Sequence, residues 1–76
     1  MATSIREAAQ EIGRTTQFRT KDAMIAAAMI CEDFPDQDDA VAVLRSFVEL
    51  AVVQRRSLSA VAIDTLPFLR GEVIAA

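Results

Sequence analysis

Histidine is absent from this chain of 76 residues, and cysteine occurs once, at Cys31. Histidine is the commonest general base near neutral pH, and zinc sites are built mainly from histidine and cysteine. A nucleophilic cysteine needs a neighbouring base, and the sequence offers none beside Cys31, which ends an apolar run. We therefore predict that the chain is not an enzyme, binds no metal or cofactor, and carries Cys31 as a buried small hydrophobe.

Glycine and proline occur only twice each. This scarcity excludes a glycine-rich phosphate loop and leaves too few turn residues for an all-β fold. Alanine, the best helix former, occurs fourteen times. The composition therefore predicts an all-α fold, and the length predicts a single domain over residues 1–76.

Long apolar runs and a basic surplus are also missing. The longest charge-free apolar run, Ala23 to Cys31, has nine residues, whereas a membrane-spanning helix needs about 20. The first seven residues have no apolar core of the signal-peptide type. The net charge of −3 argues against a generic binder of nucleic acid or anionic membranes. A cytoplasmic protein with no membrane association is the expectation.

Helix signals in the first half predict two helices. Ser4 and Glu7 have the spacing of a capping box and predict a first helix that starts at Ser4. A second helix is predicted to start at Thr20 and to run to Glu32 or Asp33, because Pro35 cannot continue it.

Signals in the second half predict at least two more helices. Asp36 is a suitable N-cap for a central helix of about residues 37–56. Ser57 or Ser59 is expected to cap a fourth helix that ends near Leu66, because Pro67 breaks or restarts it. A last helical turn or a strand-like tail is expected over residues 68–74. The resulting expectation is a compact bundle of four to five short helices.

Apolar residues cover about 200° of the central helix, twice the arc that a surface helix needs. The hydrophobic content of the chain is 53%, above the usual 45 to 50% or so, and a chain this short is marginally stable alone. We therefore predict a helical homodimer. The residues expected to mediate self-association are Met24, Met29, Leu44, Phe47, Val48 and Ala51.

Five carboxylates fall within eight positions, and these residues are Glu32, Asp33, Asp36, Asp38 and Asp39. Their spacing does not match a calcium-binding EF-hand loop in either frame, because glycine and glutamate are missing where the loop needs them. One interpretation is a partner-binding surface of negative charge. The other is structural, with Asp36 as a cap and the next two acids favouring a helix N-terminus. The structural interpretation does not explain Glu32 and Asp33, which oppose a helix dipole.

Basic residues suggest phosphate contacts, which would be made by Arg14, Arg19, Lys21, Arg55 and Arg56. The helix predicted after Arg56 has no arginine, lysine, asparagine or glutamine on its outer face to recognise base edges. Three functions therefore remain. The first is a small interaction module, an adaptor or an inhibitor of the phage or mobile-element type, that occludes a partner protein. The alternatives are a nucleic-acid-binding transcriptional regulator and a structural subunit of a larger assembly.

Overall fold

The computed structural model describes residues 4–71, and every regular element in that range is a helix. The four helices are α1 (Ile5–Thr15), α2 (Thr20–Asp33), α3 (Gln37–Gln54) and α4 (Leu58–Leu69). The prediction of a compact all-α bundle is thus confirmed, with four helices in the described part of the chain. The rest of the predicted tail, residues 72–74, lies outside it.

Short polar side chains begin three of the four helices, as the sequence predicts. The Ser4 hydroxyl accepts from the Glu7 amide at 3.2 Å, and the Ser57 hydroxyl accepts from the Ala60 amide at 3.2 Å. The Asp36 carboxylate accepts from two amides of α3, at 2.8 and 3.2 Å. Each bond satisfies an amide that has no partner within its helix. By contrast, the N-cap of α2 is Arg19, whose side chain makes no capping bond.

Two helices end at positions that differ from the predictions, α3 two residues earlier and α4 three residues later. Helix α3 ends at Gln54 because Arg55 adopts the left-handed conformation, with φ of 55°. Helix α4 does not stop before Pro67 but continues through it to Leu69. Proline removes only the bond to the carbonyl of Ile63, an exposed residue, and beyond it the Arg70 amide still donates to the Leu66 carbonyl at 2.9 Å. One lost bond in an exposed turn did not end the helix.

Helix α2 packs against each of the other three helices, most extensively against α1. Its buried face consists of Ala23, Ala26, Ala27 and Ile30. Three of these four side chains are single methyl groups, so neighbouring backbones approach closely. Helix α3 also contacts all three other helices. The prediction of α3 as the central element therefore needs a correction, because α2 shares that position.

The corner between α1 and α2 is the tightest point of the fold. A methyl group added at Gly13 would lie 1.8 Å from the Thr20 hydroxyl oxygen and 2.7 Å from the Thr20 Cα. The second contact is with backbone, so a side-chain rotation does not relieve it. Glycine at position 13 therefore sets how closely the end of α1 approaches the start of α2.

We expect Gly13→Ala to lower the free energy of unfolding by about 1–3 kcal/mol, as overpacking usually does. Helix propensity alone predicts the opposite sign, because alanine is favoured over glycine by about 1 kcal/mol within a helix. Urea unfolding followed by circular dichroism measures the difference. The control is Gln10→Ala at an exposed position of the same helix. A Gly13→Ala protein as stable as the wild type would show that the corner between α1 and α2 has room for a methyl group.

Side chains from other helices complete two of the helix N-termini. The Leu58 amide of α4 donates to the Asp22 carboxylate at 2.7 Å, and the Ser59 hydroxyl donates to the same carboxylate at 2.6 Å. The Ile5 amide of α1 donates to the side-chain oxygen of Gln37 at 2.9 Å. The first turn of α2 therefore holds the start of α4, and the first turn of α3 holds the start of α1.

Asp22→Ala is expected to cost about 1–3 kcal/mol of stability, because two half-buried donors lose their acceptor. Asp22→Asn keeps one amide oxygen as an acceptor, so its loss should be smaller. Thermal or urea unfolding gives both values, with Glu11→Ala as the control for removal of an exposed carboxylate. Equal effects of Asp22→Ala and Glu11→Ala would contradict a bridging role for Asp22.

Candidate functional site

The acidic residues lie at the corner between α2 and α3, which we call the acidic corner (Glu32, Asp33, Asp36, Asp38 and Asp39). Asp36 caps α3, and the next two aspartates are exposed in its first turn. Asp33 has a partner that the sequence did not indicate, because its carboxylate lies 3.3 Å from Nε of Arg70, at the end of α4. Over residues 4–71, no cation forms an ion pair with Glu32. Asp33 therefore has a structural role, and Glu32 is the one acid of the cluster for which residues 4–71 offer none.

The opposite end of α2 carries the basic residues that were considered for phosphate contacts, Arg14, Arg19, Lys21, Arg55 and Arg56. Arg14 is exposed in the last turn of α1, where Gly13 contacts Thr20, and Arg19 and Lys21 are exposed at the start of α2. Because Asp22 holds the start of α4, the loop that contains Arg55 and Arg56 lies at this same end. Arg56 is engaged in an ion pair with Asp64. This grouping could not be predicted from the order of residues, because 34 positions separate Lys21 from Arg55.

Charge is consequently polarised along the molecule. The acidic corner and the basic end lie at the two ends of α2, which has 14 residues and a length of roughly 20 Å. This separation is about twice the Debye length at physiological salt, so the charges at one end have little electrostatic effect at the other.

The residues predicted to mediate self-association divide into two sets. Leu44, Phe47 and Ala51 are at most 2% exposed and belong to the core of one chain. The prediction that these three residues mediate self-association is therefore wrong, because their side chains are covered by the helices of the same molecule. Met24, Met29 and Val48 are half-buried and pack on the edge of that core.

An apolar groove lies between α3 and α4, with a volume of about 280 Å³. Its walls combine exposed small residues with half-buried aliphatic ones. The lining residues are Ala42, Val43, Ser46, Phe47 and Leu50 from α3, with Thr65 and Leu69 from α4. The wide apolar arc of α3 was the sequence signal for this groove, because the helix has more apolar surface than its three neighbours cover.

Large apolar side chains stand exposed around the groove. Phe68 is 64% exposed and adjoins Leu69 in the groove wall, and Leu69 itself is 51% exposed. Val53, in the last turn of α3, is 80% exposed. At helical spacing, Asp39 lies one turn before Val43 and shares its face. The groove is therefore apolar along its length and acidic at the end where α3 begins.

Comparison with known proteins supplies no relative for this chain. It matches no protein-family model, and searches of curated proteins and of solved structures likewise find no match. Within residues 4–71, no helix is both long and apolar enough to cross a membrane. In the same range, no three acidic or cysteine side chains converge in a way that would hold a metal ion.

Substitutions in the acidic corner should separate structural acids from exposed ones. We expect Asp36→Ala to reduce the free energy of unfolding by about 1 kcal/mol, because two amides of α3 lose their cap. Glu32→Gln should change stability by less than about 0.5 kcal/mol, as is usual at exposed sites. Chemical denaturation of the two variants and the wild type provides the comparison. A larger loss for Glu32→Gln than for Asp36→Ala would reverse these assignments.

Proposed function

We propose that this protein is a small non-enzymatic module for protein–protein interaction, whose groove between α3 and α4 receives apolar side chains of a partner. The observation that carries the proposal is the groove itself, open beside the exposed Phe68 and Leu69. Exposed apolar residues are common singly, whereas a groove with several of them around it is typical of an interaction site.

The size of the groove favours a side chain over a small-molecule ligand. Its volume of about 280 Å³ lies just below the range of roughly 300–1,000 Å³ that is usual for drug-sized ligands. The lining is apolar apart from the hydroxyls of Ser46 and Thr65. Few polar groups are therefore available to orient a polar ligand, whereas one or two aliphatic or aromatic side chains would bury apolar surface there.

The acidic corner supplies the charge selectivity of the proposed site. Asp39 lies on the groove face, and Asp38 precedes it in the same exposed turn. Carboxylates at one end of an apolar groove attract a segment that carries lysine or arginine next to its apolar anchor. Such rim charges mainly raise the rate of association. By this mechanism an adaptor or an inhibitor would occlude a basic and apolar surface of its target.

A nucleic-acid-binding regulator remains the second candidate, supported by the grouping of Arg14, Arg19, Lys21 and Arg55 at one end of the bundle. Four exposed cations provide sequence-independent phosphate contacts. The exposed face of α4 offers Ile63 and Asp64 rather than base-reading side chains. A structural subunit of a larger assembly is the third candidate, and it would use the same exposed apolar residues.

Selection from a random displayed peptide library tests the proposed function. We expect the wild-type protein to enrich peptides that combine aliphatic or aromatic residues with lysine or arginine, and to bind them less tightly as salt increases. Ser46→Trp fills the groove without touching the buried core and should weaken binding at least about tenfold. Ala28→Trp, at an exposed position of α2, is the matched control.

Two results would contradict the proposal. One is binding of the enriched peptides by the Ser46→Trp protein as tightly as by the wild type. The other is an absence of peptide enrichment together with salt-dependent retention of duplex DNA in a gel shift. If charge reversal at Arg19 and Lys21 abolished that retention, the nucleic-acid-binding alternative would replace the proposed function.

A further inference from the structure

We propose that the exposed face of α2 binds the same face of a second copy of this chain in antiparallel orientation, so that the protein forms a two-fold symmetric dimer. We call this surface the exposed α2 face (Lys21, Ile25, Ala28 and Glu32). It is separate from the groove, which only α3 and α4 line. The inference therefore does not depend on the proposed function, and the groove stays open to another protein.

The exposed α2 face is continuous along the helix. Its four residues are spaced by four, three and four positions, and at helical spacing they fall within an arc of about 60°. All four are exposed, whereas the buried alanines and Ile30 lie on the opposite side of the helix. Met24 and Met29, which we predicted from the sequence to mediate self-association, lie half-buried on either side of this face.

The two ends of the exposed α2 face carry opposite charges. Lys21 lies at the basic end of the molecule and Glu32 in the acidic corner, 11 positions further along and roughly 16 Å away. Neither side chain forms an ion pair with another residue of the range 4–71. Both charges also stand at the unfavourable end of their own helix, because a helix dipole favours acids at the N-terminus and cations at the C-terminus.

Antiparallel two-fold symmetry gives each of these charges a partner. In such an interface, residue i contacts residue j and residue j contacts residue i. With the axis between positions 26 and 27, Lys21 faces Glu32 of the second copy, and Ile25 faces its Ala28. Each pairing occurs twice. Lys21 then also lies beside the C-terminal end of the other α2, where the dipole favours a cation.

Charge complementarity is the reason for choosing a second copy as the occupant. The antiparallel arrangement places the basic end of one molecule over the acidic corner of the other, and does so twice. A parallel arrangement would instead bring like charges together at both ends. The chain thus carries, on one helix face, a pattern of charge that is complementary to itself.

The apolar part of the exposed α2 face fits the same axis. Ile25 is 45% exposed and is the only large apolar side chain of α2 that stands exposed. In the dimer it packs against Ala28 of the second copy, whose single methyl group lets the two helices approach closely. One helix pair of this length buries less area than an interface of standard size, so we expect association at micromolar rather than nanomolar concentration.

Charge exchange tests the orientation, with sedimentation velocity over a concentration series as the measurement of the dimer dissociation constant. Lys21→Glu and Glu32→Lys should each weaken the dimer at least about fivefold, because like charges then meet twice per interface. The double variant restores opposite charges and should return to within about threefold of the wild type. Each single change places a charge that the dipole of α2 favours, so a weaker dimer would not reflect a weaker helix.

The matched control for Lys21→Glu is Arg45→Glu, which makes the same change of net charge at an exposed position of α3. It should leave the dissociation constant within about twofold of the wild type, because only long-range repulsion changes. Dissociation constants that stay unchanged in both single variants of α2 would refute the antiparallel pairing.

Cysteine crosslinking tests the position of the axis. In a Cys31→Ala background, Ala28→Cys places the thiols of the two copies three positions apart along the helix, a rise of about 4.5 Å. Packed helices lie about 8–10 Å apart, which brings the two Cα atoms within the roughly 7 Å that a disulfide spans. We expect mainly covalent dimer on oxidation, at a rate independent of dilution while the dimer persists. Ser46→Cys in the same background, exposed on α3, should crosslink slowly and in proportion to concentration.

A chain that sediments as a monomer up to millimolar concentration would overturn the proposal. So would a dimer whose Ala28→Cys variant crosslinks no faster than the Ser46→Cys control, because it would associate through another face. Ala28→Trp separates this proposal from the proposed function. Its indole lies where Ile25 of the second copy packs, so it should dissociate the dimer, while the unchanged groove should select the same peptides. A monomeric chain with a selective groove would still be an interaction module.

Discussion

The close approach of α2 to its neighbours is the constraint on which the rest of the structure depends. Its buried face is mostly alanine, and Gly13 meets the backbone of Thr20 at the corner with α1. Small residues contribute little apolar area each, so this packing gains its stability from close contact along the helix rather than from large side chains. Both ends of α2 then hold α4, because Asp22 binds the start of α4 and Asp33 binds Arg70 at its end.

This central packing determines which surfaces remain free. With α1 and α4 both held against α2, α3 is left with more apolar surface than the other helices cover. Its buried face, which includes Leu44 and Phe47, completes the core. Its second apolar face, with Val43 and Leu50, is only half-buried and forms the wall of the groove. The groove thus forms because the apolar arc of α3 is wider than the other three helices of the bundle can cover.

The helix boundaries could be predicted because their causes are local. Ser4, Asp36 and Ser57 each cap a helix from within three residues of the amide they bind, and periodicity locates the apolar faces. The end of α4 was missed because the effect of Pro67 depends on whether the unpaired carbonyl lies in an exposed turn. The core role of Leu44 was missed because periodicity identifies an apolar face without showing whether the covering helix belongs to the same chain.

The candidate site was less accessible to sequence reasoning, because its parts are brought together by long-range contacts. The acids were visible as a cluster, but the ion pair between Asp33 and Arg70 spans 37 positions and depends on how α4 crosses α2. Arg55 and Arg56 come to the end of α2 that carries Arg19 and Lys21 because the start of α4 binds Asp22 through Leu58 and Ser59. A carboxylate in the first turn of a helix is normally assigned to the dipole of its own helix. Here the Asp22 carboxylate accepts from an amide of a different helix, α4. A sequence pattern does not show such a long-range contact.

The acidic and the basic ends of this fold both lie at helix N-termini. Helix N-termini favour acids, and three of the carboxylates in the acidic corner lie at the start of α3, where Asp36 is the cap and Asp38 and Asp39 lie in the first turn. The start of α4 is capped by Ser57 and held by the distant Asp22, and the loop before it carries Arg55 and Arg56. The two helix starts therefore differ in surface charge. Glu32 alone has no such structural reason within residues 4–71, because it stands exposed at a helix C-terminus, where its charge is unfavourable. Glu32 is therefore the one carboxylate of the acidic corner whose position the contacts of residues 4–71 do not account for.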